Sequence, residues 1–369
     1  MKYKLGNIVK EIIDYRGKTP KKLGFDWSES GIRAFSAKNI KTGQIVQPES
    51  IRYVSEENYP KWMKQEVERG TILITSEAPF GQIFYWNSDE KIVLSQRLFA
   101  IKIKDEFNSK FVYYQMTSDK FQSELKARAT GSTVTGLRQP ELMKCEIDLP
   151  DLKTQKKIVR ILSALDQKIE LNNQQNKTLF ELGQKLYVEK FENDETIAKI
   201  ELKNFFPVVT GKKDANASSE NGRYPFFTCS KTISKIDDYV FDNSAILLAG
   251  NGDFNVKFYR GKFDAYQRTY VLIPNNPEYL GFLYWAISYS LPRITANYRG
   301  SVIKFITKGN IENFEVPFVD NEYIPVFMRY LEKIEKNNQE DETLSRLRDT
   351  LLPKLMSGDI NLGEATINE

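Results

Sequence analysis

The chain has 369 residues and no histidine. That removes Ser-His-Asp and Cys-His nucleophilic mechanisms, histidine-ligated zinc and imidazole acid–base chemistry. The two cysteines, Cys145 and Cys229, form no metal-ligand spacing and suit a reducing compartment. Short motifs with a chemical reading are incomplete. Asn276-Pro277-Glu278-Tyr279 resembles the Asn-Pro-Pro-Tyr loop of adenine methyltransferases but lacks the second proline, and no Phe-x-Gly-x-Gly strand accompanies it. Gly17-Lys18-Thr19 ends like a phosphate-binding loop, yet the first glycine would fall at Ile12. Glu201-Leu202-Lys203 and Glu124-Leu125-Lys126 have nuclease-like Glu-x-Lys spacing, which surface charge pairs on helices share. Basic and polar residues remain as candidates for binding.

Those residues need a frame, and the stretch from Asp151 to Glu192 supplies it. It contains no proline and one glycine. Apolar or amide residues recur at Ile158, Leu162, Leu165, Ile169, Asn172, Asn176, Leu179 and Leu186. Steps of four and three alternate, the 3.5-residue period of a coiled-coil seam. A helix of this length runs roughly 60 Å, longer than a compact core needs, and so reads as a spacer. The stretch also recurs. Lys168-Ile169-Glu170-Leu171-Asn172-Asn173-Gln174 returns as Lys333-Ile334-Glu335-Lys336-Asn337-Asn338-Gln339, and Leu179, Leu182 and Leu186 return as Leu344, Leu347 and Leu351. The second copy places Tyr323, Phe327, Tyr330, Ile334, Asn337, Asp341, Leu344 and Leu351 on its seam. Pro325 fits only in a first turn, so this helix starts near it; Pro353 and Gly358 are expected to break it.

The segments between the helices also repeat, more loosely. Residues 1–150 read as α+β, with short strands at Gly70–Thr75 and Ile92–Leu94, a helix over 107–127 and a last strand at Ile147–Pro150. Residues 193–319 answer this plan. Ala245–Leu248 corresponds to Thr71–Ile74, Phe80, Phe84 and Tyr85 to Phe254, Phe258 and Tyr259, Gln96-Arg97 to Gln267-Arg268, and Gly131-Ser132 to Gly300-Ser301. The fold class expected is α+β. Two mixed domains, 1–150 and 193–319, alternate with a spacer helix at 151–192 and another at 320–358, with a tail at 359–369. The helices pair as an antiparallel coiled coil, which gives a pseudo-two-fold internal repeat with the domains at its two ends. Asn172 and Asn337 would fix the register, because a buried amide needs a partner.

Net charge is +4. Residues 1–150 carry 24 basic against 19 acidic groups, and residues 320–369 carry 6 against 11. This permits a polyanionic partner without requiring one. No apolar run approaches a membrane span, and the first residues do not read as a signal peptide, so a cytoplasmic protein is expected. Two similar but unequal heads form a ruler with two readers. A DNA duplex, whose backbone has local two-fold symmetry, suits such a protein.

On these residues the chain resembles the specificity subunits of type I restriction–modification systems. The resemblance spans essentially the whole chain. It is carried by Leu149-Pro150, Gln155–Val159, Leu165–Ile169 and Leu171-Asn172, and by the closing run from Leu347 to Ile360. It implies two target-recognition domains reading a bipartite, asymmetric double-stranded target. It implies assembly with two methyltransferase subunits and with restriction (translocase) subunits. S-adenosylmethionine, ATP and magnesium would belong to those partners. The chain itself would bind no cofactor or metal and catalyse nothing.

Base contacts need donors and acceptors on loops; phosphate contacts need Arg, Lys, hydroxyls or amides. Features present in both heads cannot explain different half-sites. Arg97 with Arg268, and Ser132 with Ser301, therefore read as phosphate-gripping or structural: a strand-edge pair bonding its own fold, or a plain turn. Residues that differ are candidates for reading sequence: Arg16, Lys18, Lys38, Arg128 and Arg138 in the first head, and Lys212, Lys213, Lys231, Asn251, Arg260, Arg299 and Lys304 in the second. Each is equally a solvated surface charge. The loop Ala249–Asp253 brings backbone close to DNA or is a hairpin turn. The rival readings are a two-headed protein–protein scaffold, which the same coiled-coil seam supports, and a stand-alone DNA-modifying enzyme.

Overall fold

A computed structural model describes residues 1–130, 135–296, 298–300 and 304–360. The chain divides into two compact units, Met1–Gln167 with the segment beginning at Leu344, and Lys168–Thr343. Among the described residues no helix is long and apolar enough to cross a membrane.

The first unit is built on a four-stranded antiparallel sheet of β1 (Val9–Asp14), β2 (Ile72–Thr75), β3 (Ile83–Tyr85) and β4 (Leu98–Ile103), in the order β1-β4-β2-β3. Strand period two divides its side chains between two cores. Ile72, Ile74, Phe99 and Ile101 face a core shared with helices, while Leu73, Leu98 and Ala100 face a second core holding Phe35, Trp62 and Trp86. That is why β2 is buried along its whole length. The helix expected over 107–127 is two helices, α1 (Ser109–Thr117) and a following helix Asp119–Ala127. Ser118 separates them in an extended conformation, and its hydroxyl caps the second by accepting from the Phe121 amide. Serine competes well for a cap, so one seemingly continuous apolar pattern divides there.

The long helix α2 spans Leu152–Tyr187, 36 residues, about 54 Å. Its first part closes the first unit: Ile158 and Leu162 enter the core with Leu355. The second unit repeats the sheet. Strands β5 (Val208–Thr210), β6 (Phe241–Ala249), β7 (Val256–Ala265) and β8 (Thr269–Leu272) take the order β5-β8-β6-β7, the same as in the first unit. Here β7 is ten residues long, and its far end pairs in parallel with Tyr224–Phe227. In the first unit that role falls to a separate strand, Val93–Leu94, paired in parallel with Ile32–Phe35. Helix α3 (Leu280–Ile294) packs the sheet against the second half of α2 and against α4 (Ile324–Ser357), through Tyr187, Phe282, Trp285 and Phe327.

Helix α4 begins one residue before Pro325 and ends before Gly358, whose φ is +83°. The expectation that Pro353 breaks it is incorrect: the helix runs through Pro353 to Ser357. Proline forfeits one backbone bond, but burial of Leu351, Leu352, Leu355 and Met356 against the first core holds the last turn in place.

The helix segments pair antiparallel within each unit. In the second unit Asn172 donates to Glu340 Oε2 (2.9 Å) and Asp341 Oδ1 (2.7 Å), and its own Oδ1 accepts from Lys168 (3.0 Å). Asn337 donates to Gln175 Oε1 (2.9 Å) and Asn176 Oδ1 (2.7 Å). Both asparagines are buried. In the first unit Asp166 binds Arg348 (3.1 Å) and accepts from the Tyr114 hydroxyl (2.5 Å), tying α1 to both helix segments. Leu165, Ile169, Leu179, Leu186, Tyr330, Ile334, Leu344 and Leu351 are half-buried, and Phe327 is fully buried.

Gly183 lies under Trp285, where a Cβ would stand 2.2 Å from the indole. Helix propensity favours alanine over glycine by about 1 kcal/mol. Overpacking costs about 1–3 kcal/mol. Gly183→Ala is therefore expected to lower stability in denaturant unfolding; a rise would show that the indole moves freely. Asn337 Oδ1 has no protein partner, whereas every polar atom of the Asn172 amide group is engaged. Asn172→Leu should lower the unfolding midpoint more than Asn337→Leu, a ranking that a paired melt of the two variants checks. Burial raises the Cys145 thiol to about 11 from 9.0. The folded state therefore holds this proton more tightly. The stability this adds is complete below pH 9 and is lost as pH rises through about 11, which unfolding measured from pH 8 to 11 should show.

Candidate nucleic-acid interface

Three loops cross at one edge of each sheet. In the first unit they are the β2–β3 turn, the corner Ser95–Arg97 before β4, and the segment from Thr130 to Leu137, of which 131–134 lie outside the described residues. The Ser76 amide donates to Arg97 O (2.8 Å), the Leu137 amide donates to Ser76 O (2.9 Å), and Thr130 and Gly136 exchange two backbone bonds of 2.9 Å. The second unit makes the same bonds. The Gly250 amide donates to Arg268 O (2.8 Å), the Ile306 amide to Gly250 O (3.0 Å), and Arg299 and Phe305 exchange bonds of 2.8 and 2.9 Å. The crossings satisfy backbone groups that would otherwise be orphaned at a loop cluster, and they hold three exposed loops in fixed register. Ala249–Asp253 is the turn of the β6–β7 hairpin and one of these crossing loops.

The Gln-Arg pairs therefore do bond their own fold, through the arginine carbonyl. Their side chains stay at the surface. Arg97 makes an ion pair with Glu77 (3.3 Å) and Arg268 is exposed. Arg97 has φ +64°, a left-handed conformation costly for a non-glycine residue and characteristic of sites whose surroundings dictate the backbone. Gly300 has φ +92°, which suits glycine. Ser132 and Ser301 lie outside the described residues.

Other candidates divide by what already engages them. Arg16 forms a bidentate pair with Asp14 and lies over Phe99. Lys18 turns inward to Trp62 O (3.0 Å), and burial with neighbouring Lys64 pulls its pKa down. Arg128 pairs with Glu124 and Glu141. Arg260 pairs with Glu335 (3.7 Å) and Glu332 (4.0 Å) of α4. Lys38, Arg138, Lys212, Lys213, Lys231, Arg299 and Lys304 are exposed, with Lys304 over the Tyr298 ring. Arg299, Asn251 and Lys304 meet at the second unit's crossing, where Phe305 bridges Asn251 and Arg299 and the Gly252 amide binds Lys304 O (2.9 Å). Sequence reasoning missed Trp27 and Arg52, which approach each other where Ser28 bridges Tyr53, and Asp264, a buried carboxyl near Lys213 whose pKa burial raises.

No group of carboxylate or cysteine side chains suited to a metal ion occurs among the described residues. Asn276-Pro277-Glu278-Tyr279 is a 3₁₀ turn in which Asn276 caps the Glu278 amide and the Tyr279 hydroxyl binds Asp320. Gly17-Lys18-Thr19 is a turn, and Glu201 and Lys203 pair with each other.

Residues 1–181 and 194–346 match the family model for the type I restriction modification DNA specificity domain, and the chain belongs to that family. It is 40% identical over 169 residues to the specificity subunit of the type I restriction enzyme EcoDI from Escherichia coli, an alignment covering 44% of this chain and 38% of that relative. It is 25% identical over 344 residues to the specificity subunit of the type I restriction enzyme MjaIX from Methanocaldococcus jannaschii, covering 80% and 79%. The crystal structure of the type I restriction–modification system S subunit from M. genitalium shares the fold, with a TM-score of 0.58 at 19% identity over 96% of this chain and 95% of that one.

At Gly250 a Cβ would stand 2.5 Å from Arg268 O and 2.7 Å from the Tyr270 ring. Gly250→Ala should cost about 1–3 kcal/mol. Faster amide exchange around Arg268 and Ile306 is expected to accompany that loss.

Proposed function

We propose that this chain reads a bipartite, asymmetric DNA sequence and presents it to the methyltransferase and restriction subunits of a type I complex. The observation that carries this reading is the repeated loop crossing. Both units hold the same three backbone segments in the same register, yet place different side chains on them. A shared frame suits a shared partner surface, the phosphodiester backbone, and unshared side chains suit different base pairs. The chain performs no chemistry in this reading. S-adenosylmethionine, ATP and magnesium belong to the partner subunits, and the paired helices supply the docking surface for two methyltransferase copies. Helix length sets the number of unread base pairs between the half-sites. The loose ends favour DNA over a protein scaffold: Lys38, Lys212, Lys213, Lys231, Arg268 and Arg299 stand exposed on or near loops of the two units.

Affinity for duplex DNA, measured with the chain assembled with its methyltransferase, should fall about 10³-fold between 50 and 200 mM salt if some six phosphates are contacted. A flat response favours the scaffold. Exchanging residues 193–319 for another domain of this kind should change one half of the methylated sequence and leave the other intact. Scrambling of both halves would refute the modular reading.

A further inference from the structure

Beside the first unit's crossing lies a pocket of about 240 Å³ whose lining includes Trp27, Ser36, Lys38, Arg52, Ser95 and Arg97. Five arginines of the first 150 residues, Arg16, Arg33, Arg69, Arg97 and Arg128, form ion pairs. Arg52 and Arg138 form none among the described residues. Arg52 is nonetheless placed: its guanidinium carbon lies 5.0 Å from the centre of the Trp27 ring. An aromatic face orients a guanidinium while leaving its in-plane N–H donors free. Lys38 stands exposed on the same pocket, and Arg97, whose backbone is left-handed, lines it too.

The second unit lacks this arginine. In the first unit Ala34 pairs with Arg52 on one side and, in parallel, with Val93 on the other. In the second, Phe226 holds the same place, between Ser234 and Asp264. Arg52 therefore corresponds to Ser234. A residue that grips backbone belongs in both units; a residue that reads a base belongs in one. A planar, free, pre-oriented fork of donors matches the O6 and N7 acceptors that guanine presents in the major groove.

We infer that Arg52, held on Trp27 at the mouth of this pocket, reads a guanine in one half of the target; this rests on the DNA-reading function proposed above. Lys38 supports it as a neighbouring cation.

The test is selection from a randomised duplex pool by the full chain assembled with its methyltransferase, comparing wild type, Arg52→Ala, Arg52→Lys and Trp27→Leu. Wild type should enrich a two-part sequence. Arg52→Ala should lose the preference for guanine at one base pair of one half only, with about 10- to 100-fold weaker binding to the wild-type sequence and an unchanged salt slope. Arg52→Lys should recover part of that preference, because a lysine still donates but without the fork. Trp27→Leu should weaken discrimination at the same base pair, and Arg52→Ala should leave the unfolding midpoint unchanged because the side chain is exposed. Uniform weakening with a shallower salt slope would make Arg52 a phosphate contact and overturn the inference. So would an unaltered selection by Arg52→Ala. If wild type itself enriches no sequence, the DNA-reading function fails, and this inference with it.

Discussion

A helix with one apolar face cannot stand exposed in water, and this chain contains two of them, 36 and 34 residues long. Burying those faces against each other and against the sheets is the constraint from which the rest follows. Apolar contact alone would leave their register loose, since one leucine resembles another. The buried amides remove that freedom. Asn172 reaches Glu340 and Asp341; Asn337 reaches Gln175 and Asn176. A slipped pairing would bury both amides against side chains that cannot bond them, at a cost comparable to a lost hydrogen bond each. The four acceptors are repeat equivalents of one another, so the duplication reappears in the contacts. One clamp uses carboxylates balanced by Lys168, and the other uses neutral amides.

Around that pairing each unit uses one plan. Alternation along β2, β4 and β6 sends every second side chain to a core that includes the long helices, and the others to a second core. The loops at the sheet edge anchor themselves there through single residues, Leu137 in the first unit and Ile306 in the second. Crossing hydrogen bonds hold the rest of their backbone, and their exposed side chains are free to differ. That division permits two readers of one ligand class on a single frame. Among the described residues no group of side chains suited to a metal ion forms, and the loops offer donors and acceptors.

Membership of the type I restriction modification DNA specificity family accords with this plan. Likeness to relatives is uneven, 40% over less than half of the chain and 25% over most of it.

The seam, its buried asparagines, the internal repeat and the main strands were legible in the residue order, because period and identity are properties of the chain itself. Pro353 was not: whether a proline ends a helix depends on what its neighbours bury, and that is decided by Leu351, Leu352 and Leu355 meeting a core formed by distant residues. Ser118 dividing one apolar pattern into two helices is a similar case. Which basic residues stand free was equally beyond the one-dimensional pattern. Arg260 looked the same as Lys38 and Arg299 until folding brought Glu332 and Glu335 beside it. Arg52 became visible only when the bridge between Ser28 and Tyr53 laid it over Trp27. A charge is written in the chain, but its partner is chosen by the fold, because Coulomb and hydrogen-bonding forces act over a few ångströms of space and take no account of distance along the backbone.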